Sequence, residues 1–298
     1  MKKTVLTGIA FSLAVALCVG ICPAYAEGTV PVAENLELKT YQNVSVGGSL
    51  NAYDPDGGAL EYTVTTEPVK GSIELGEGGS FVYTPRENKK GRDYFGYKAT
   101  DAEGNVSQEA TVIIRIEKAK KDVLYSDMRG RAEEYAAVAL AENGIFTAEQ
   151  VGGKYCFSPD KSVSRGEFIS MCMLVSDKPV PEAALTTNYS DDEQIPAWMK
   201  GYVTAAAMFG IAPHDPGAQL DADAPITQSE AAVILDRALN VTSVSYIPLD
   251  SADDMPAAQA CANLTACGVM DSSDVGAYLT RGAMAQLLYG AIELMAKR

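Results

Sequence analysis

Two short runs place an arginine directly after a hydroxyl residue at the head of an apolar stretch: Ser164-Arg165-Gly166-Glu167 and Thr280-Arg281-Gly282-Ala283. A guanidinium presents a planar fork of donors that matches a carboxylate. A helix start adds N–H groups and a dipole that favours an anion, and the Ser164 and Thr280 hydroxyls stand beside it. The chemistry on offer is recognition of an acidic group. A third run, Thr227-Gln228-Ser229-Glu230, carries glutamine at the arginine position and is expected to bind poorly or not at all. Ser164 and Glu167 also form a capping box, so helix-start chemistry alone explains that pair.

Catalysis needs a constellation that the sequence does not hold. His214 is the one histidine, in Ala212-Pro213-His214-Asp215-Pro216, with no serine or cysteine nucleophile motif beside it. There is no histidine cluster for zinc, no glycine-rich phosphate loop and no nucleophile elbow. The acidic pairs Asp191-Asp192 and Asp253-Asp254 precede helical patterns, where negative charge suits the dipole. The expectation is a binding protein and not an enzyme.

Charge and targeting narrow the partners. Lys2 and Lys3, an apolar run from Val5 to Cys22 and Ala24-Tyr25-Ala26 read as a secretory signal over residues 1–26. No later segment is long and apolar enough for a bilayer, so no membrane partner is expected once the signal is cleaved. The whole sequence carries 24 basic and 39 acidic residues, a net charge of −15, and loses two lysines with the signal. So acidic a surface argues against nucleic acid, whose affinity rests on phosphate contacts. An anionic ligand would have to be met by local arginines. Past the signal, Cys156, Cys172, Cys261 and Cys267 remain, far below the density of a disulfide scaffold. Cys172 and Cys261 read as small buried apolar residues, and export permits a Cys156–Cys172 bridge.

The elements that position these groups fall into two halves. Over residues 27–117 the period is two: Val44 and Val46; Leu60, Tyr62 and Val64; Phe81 and Tyr83; Phe95, Tyr97 and Ala99; Ala110, Val112, Ile114 and Ile116. Gly- and Asp-rich turns separate them, which predicts an all-β antiparallel immunoglobulin-like sandwich of about seven strands. Residues 118–122 are a charged linker and mark a domain boundary. Beyond it three units repeat, over 123–177, 186–242 and 246–298. They align on Gly144-Ile145, Gly210-Ile211 and Gly268-Val269, a helix stop. Upstream lie Tyr125-Ser126-Asp127, Tyr189-Ser190-Asp191 and Pro248-Leu249-Asp250. Repetition at this period means that the units bury their apolar faces against one another.

Asp54-Pro55-Asp56-Gly57, Ser80-Phe81-Val82-Tyr83-Thr84-Pro85 and Asp93-Tyr94-Phe95-Gly96-Tyr97 are similar to bacterial cadherin-like repeats of immunoglobulin fold. That resemblance implies a Ca²⁺ site near a domain end, with Asp54, Asp56 and Asp101 as candidates and Glu34 as a further donor; no other cofactor is implied. Ca²⁺ takes six to eight oxygens, and the same aspartates are also what turn geometry selects. Where the family often continues with another Asp, this chain has Gly58.

The three C-terminal units resemble S-layer homology domains: an aromatic-Ser-Asp start, a helix often opened by Trp, a Gly-Ile/Val stop and a Thr-Arg-Ala-Glu helix start. The resemblance implies an all-α bundle of three repeats with pseudo-threefold arrangement and grooves between units. It implies non-covalent anchoring of an exported protein to secondary cell-wall polysaccharide, often pyruvylated, with the arginine meeting the acidic sugar. Carried onto this chain, the ligand contacts are Arg165 and Arg281, with Ser164 and Thr280 beside them and Trp198 stacking on a sugar face. Gln228, Ala283 and Ala132 depart from the pattern. The protein is thus expected to be secreted to the cell wall, presenting the sandwich outward. The alternative is an adhesion or assembly module, in which the sandwich binds a protein partner and the bundle is a spacer.

Overall fold

A computed structural model describes residues 29–121, 123–182, 186–213, 217–241, 244, 255–270 and 276–298. The signal segment, His214, Asp250, Asp253 and Asp254 lie outside the described residues.

The first half is a two-sheet sandwich. One sheet holds β2 (Leu36–Tyr41), β9 (Ala110–Glu117), β8 (Gly91–Thr100) and β5 (Glu61–Thr66), in that order; the other holds β3 (Val46–Ser49), β7 (Ser80–Pro85) and β6 (Gly71–Leu75). A short pair, β1 (Val32–Ala33) with β4 (Ala52–Tyr53), stands apart. The alternating residues do point inward: Val44, Val46, Phe81, Tyr83, Phe95, Tyr97, Val112, Ile114 and Ile116 are buried. One expectation is corrected, because β2 runs parallel to β9, Leu36 opposite Val112 and Thr40 opposite Ile116. Side-chain alternation is the same whichever way the neighbouring strand runs, so the pattern could not report direction. Inside, the Tyr83 hydroxyl donates to Asp93 at 2.8 Å, and that carboxylate also accepts from the Val69 and Lys70 amides.

The acidic turns hold themselves. Asp54 accepts from the amides of Asp56 (2.9 Å) and Gly58 (2.8 Å), and Asp56 from that of Thr29 (2.7 Å). Asp101 accepts from the amides of Glu103 and Asn105 and from the Asn105 side chain. The Glu34 carboxylate takes the Asn51 side chain. Among the described residues no group of three or more His, Cys, Asp or Glu is placed to hold a metal. Asp54 and Asp101 thus spend oxygens on turn amides, and Asp56 on the distant Thr29 amide.

The second half has two helices per unit: α1 (Glu134–Glu142) and α2 (Arg165–Val175), α3 (Ala197–Met208) and α4 (Gln228–Leu239), α5 (Met255–Ala266) and α6 (Arg281–Ala296). The stop glycines behave alike. Gly144, Gly210 and Gly268 sit at φ of 73, 69 and 67°, a left-handed turn that glycine enters without a Cβ penalty. The next residue, Ile145, Ile211 or Val269, donates back to Leu140, Ala206 or Leu264 at 2.8–2.9 Å, closing a Schellman motif. The half is not purely helical, because the longer loop of the first unit forms a hairpin, β10 (Gln150–Val151) with β11 (Lys154–Tyr155).

Each unit's second helix packs on the first helix of the next: α2 on α3, α4 on α5, and α6 back on α1. At the centre the segments before α2, α4 and α6 bond in a closed ring. Val163 donates to Leu279 (3.0 Å), Leu279 to Ile226 (2.8 Å) and Ile226 to Val163 (3.0 Å). All three side chains are buried. In the first two units the acid of the aromatic-Ser-Asp start ties down the loop before the second helix. Asp127 accepts from the Phe157 and Ser158 amides, and Asp191 from those of Leu220 and Asp221, at 2.7–2.9 Å.

The charged linker does not leave the halves apart. Glu142 accepts from the Lys120 and Lys121 amides, and the Lys121 ammonium donates to Ala141 O. Glu134, 2% exposed, accepts from the Ser45 amide of the sandwich (2.9 Å) and the Gly130 amide (3.3 Å). Tyr41 packs on Tyr135 with ring centroids 5.2 Å apart. Cys156, Cys172 and Cys267 are free thiols, so the Cys156–Cys172 bridge is absent; Cys261 is half-buried, not a core residue. Among the described residues no helix is long and apolar enough to cross a membrane.

Glu134→Ala strands the buried Ser45 amide, while the Gly130 amide keeps Ser45 Oγ, and should cost about 1–3 kcal/mol in urea unfolding. Burial pushes the Glu134 carboxyl up, so its folded form holds a proton more tightly than its unfolded form. That contribution is full below the ordinary carboxyl range and is lost as pH rises through the raised value; Glu134→Gln should remove this slope from a stability–pH profile. With the Asp54 and Asp101 oxygens engaged by turn amides, neither added Ca²⁺ nor a chelator should move the melting midpoint of the full chain, and a rise with Ca²⁺ would support a metal site.

Candidate functional site

The candidate residues sit at the three helix starts around the hub. Ser164 Oγ accepts from the Glu167 amide (3.3 Å) while Glu167 accepts from the Ser164 amide (3.0 Å), and Thr227 with Glu230 repeats both halves of this capping box. Thr280 makes only the first half, to Ala283. Ser164 and Thr280 thus act as caps.

The backbone donors expected to face an anion are already engaged. Arg165 N donates to Ala224 O (2.9 Å) and Gly166 N to Ala222 O (2.9 Å), both in the second unit. Arg281 N donates to Lys161 O and Gly282 N to Pro159 O, both at 2.8 Å, in the first unit. Buried backbone donors find partners, and here the neighbouring unit supplies them. That corrects the expectation of free amides at these helix starts and leaves recognition to side chains.

The two arginines meet different surroundings. Arg165 lies between the first and second units. Its Nη1 donates to Leu220 O (2.8 Å), its Nη2 to Glu230 (2.8 Å), and Asp221 stands 3.9 Å away. Burial pushes the Glu230 carboxyl up, but hydrogen bonds from Thr227 and the Arg165 guanidinium outweigh it and hold the carboxyl below its usual range. Arg281 lies between the third and first units and is 7% exposed. It donates to Phe157 O at 3.2 Å and stacks over the Phe146 ring at 5.3 Å. Among the described residues it makes no ion pair.

Arg281 lines a groove of about 290 Å³ with Trp198, Tyr202, Phe146, Glu167 and Ser170. The fold thus brings Arg281, Trp198 and Glu167 together from three different units, and keeps Arg165 at another junction. Trp198 is 58% exposed and lines the groove. Phe146 and Tyr202 were not singled out from sequence. Tyr202 had a signal, since it lies four residues after Trp198 and shares its helix face; Phe146 follows the Gly144-Ile145 stop directly. The carboxylates Asp54, Asp56 and Asp101 belong to the sandwich turns and take no part in this groove.

Residues 28–118 match the family model of the bacterial cadherin-like domain, and residues 188–232 that of the S-layer homology domain. Neither domain is catalytic. No curated protein matches the chain. Among solved structures, the endo-fucoidan hydrolase MfFcnA4 of glycoside hydrolase family 107 is 20% identical over 32% of this chain and 14% of its own, with a TM-score of 0.26. The SrpA adhesin of Streptococcus sanguinis, as its R347E mutant, is 17% identical over 34% and 66%, TM-score 0.25. Drosophila N-cadherin EC1-4 is 16% identical over 30% and 25%, TM-score 0.24. Likeness at these scores carries no functional weight, and this chain spans about a seventh of the hydrolase. The two family matches, in the same order as the sandwich and the helical half, show a bacterial cadherin-like domain followed by an S-layer homology domain.

Proposed function

We propose that this is an exported surface protein held non-covalently to acidic secondary cell-wall polysaccharide through the Arg281 groove. The reading starts from the S-layer homology match, which indicates association with the cell surface. The helical half is read as three such repeats about a pseudo-threefold axis. The closed ring of Val163, Ile226 and Leu279, the α6–α1 closure and the three matching helix stops support it.

The observation that carries the ligand assignment is Arg281 itself. A buried guanidinium without a carboxylate partner keeps a desolvation cost that an incoming anion would offset. Trp198 at the mouth supplies an apolar face for the sugar ring bearing the acid, such as a pyruvate ketal. Arg165 has its charge matched by Glu230 and serves the junction between units. The outward partner of the cadherin-like domain stays open in this reading.

Arg281→Gln should weaken retention on wall sacculi that carry their polysaccharide about 10- to 100-fold, as expected for a lost charge-assisted hydrogen bond. Arg165→Ala should leave retention near wild type and instead cost about 1 kcal/mol in urea unfolding. Full retention by folded Arg281→Gln, verified by circular dichroism, would overturn the assignment.

A further inference from the structure

The ring relates the Arg281 groove to a second one, built by α6, α1 and the start of α4 in place of α2, α3 and the start of α6. Position for position, Gln228 stands where Arg281 stands, Ala283 where Glu167 stands, Ala132 where Trp198 stands, Ala136 where Tyr202 stands and Met270 where Phe146 stands. All five line one cleft of about 640 Å³. So this second groove lacks the guanidinium, the acid and all three aromatic side chains of the first.

Its opposite wall is the cadherin-like domain. Glu37, Leu38 and Lys39 of β2 and Val46 and Gly47 of β3 line the same cleft. Gly47 N donates to Ala132 O at 3.1 Å. A Cβ placed on Gly47 would stand 2.6 Å from the Ala132 Cβ, so the strand touches the turn before α1 at the position equivalent to the indole of the Arg281 groove. Neither an indole at 132 nor a side chain at 47 fits. Beside this contact run the Glu134–Ser45 bond and a file of three rings, Tyr41 on Tyr135 and Tyr135 on Tyr289 at 5.1 Å.

We infer that this second groove is an intramolecular dock for the cadherin-like domain, its sugar-type residues replaced by small ones that admit β2 and β3. The charged linker at 118–122 then joins two domains that move as one body. The bundle presents the cadherin-like domain at a fixed angle and keeps the Arg281 groove, on another junction, clear of it. The inference rests on packing and stands whether or not the polysaccharide reading does.

Ala132→Trp in the full chain tests it. The variant should undock the domains: scanning calorimetry should split one unfolding transition into two, X-ray scattering should give a larger radius of gyration, and trypsin should cut at Lys118, Lys120 or Lys121 at least ten times faster. Gly47→Leu approaches the same contact from the sandwich side and should give the same three changes, which keeps the test alive if the tryptophan variant does not fold. Folded variants with one transition, an unchanged radius and a protected linker would overturn the dock.

Discussion

Three backbone hydrogen bonds at the hub constrain the helical half. Val163, Leu279 and Ile226 each donate once and accept once, so no single unit satisfies its own pre-helix segment. A buried unpaired amide costs about 1–3 kcal/mol, and the ring removes that cost for three segments only if all three units are present. The same closure carries α2, α4 and α6 outward from one point. It sends the first amides of α2 and α6 into carbonyls of a neighbouring unit. Recognition is thereby removed from the backbone at the helix starts and left to the side chain that follows each cap.

What that side chain does is decided by the neighbour it reaches. Arg165 and Arg281 follow the same hydroxyl cap and precede the same glycine. Arg165 reaches Glu230 on α4 and becomes a strut between units. Arg281 reaches the Phe157 carbonyl and the Phe146 ring instead. Glu167, the residue equivalent to Glu230, lines its groove without pairing with it. One motif thus yields a matched charge at one junction and an unmatched one at another.

Much of this was legible in the sequence where local chemistry decides structure. The period-two runs became the sandwich core, Ser164–Glu167 became a capping box, and the glycine stops took left-handed turns. What was not legible lies between elements. Alternation along β2 could not tell that it pairs in parallel with β9. The Tyr-Ser-Asp starts were visible as a repeat, but that Asp127 and Asp191 clamp the amides of distant loops depends on contacts about thirty residues away. Glu134 reads in sequence as an acid at a helix start, and only the fold shows that it accepts from Ser45 across the domain joint. Asp54 and Asp101 carry the types of a metal site, yet their oxygens meet turn amides within four residues, a competition that composition does not reveal.

Overall charge and local charge act over different distances, so the acidic net charge does not conflict with the proposed binding of an acidic polymer. The net charge of −15 repels a polyanion at long range, but at physiological ionic strength that field decays over about 8 Å. Inside the Arg281 groove the guanidinium is shielded from solvent by Phe146, where the effective dielectric is lower and a direct ion pair gains more per contact than at the surface. Bulk repulsion would then slow the approach of such a polymer, whereas the groove would set how long it stays. Placing an arginine without an ion-pair partner among the described residues in a buried position, on a chain of acidic net charge, would favour an anion that can enter and bond over any that merely collects nearby.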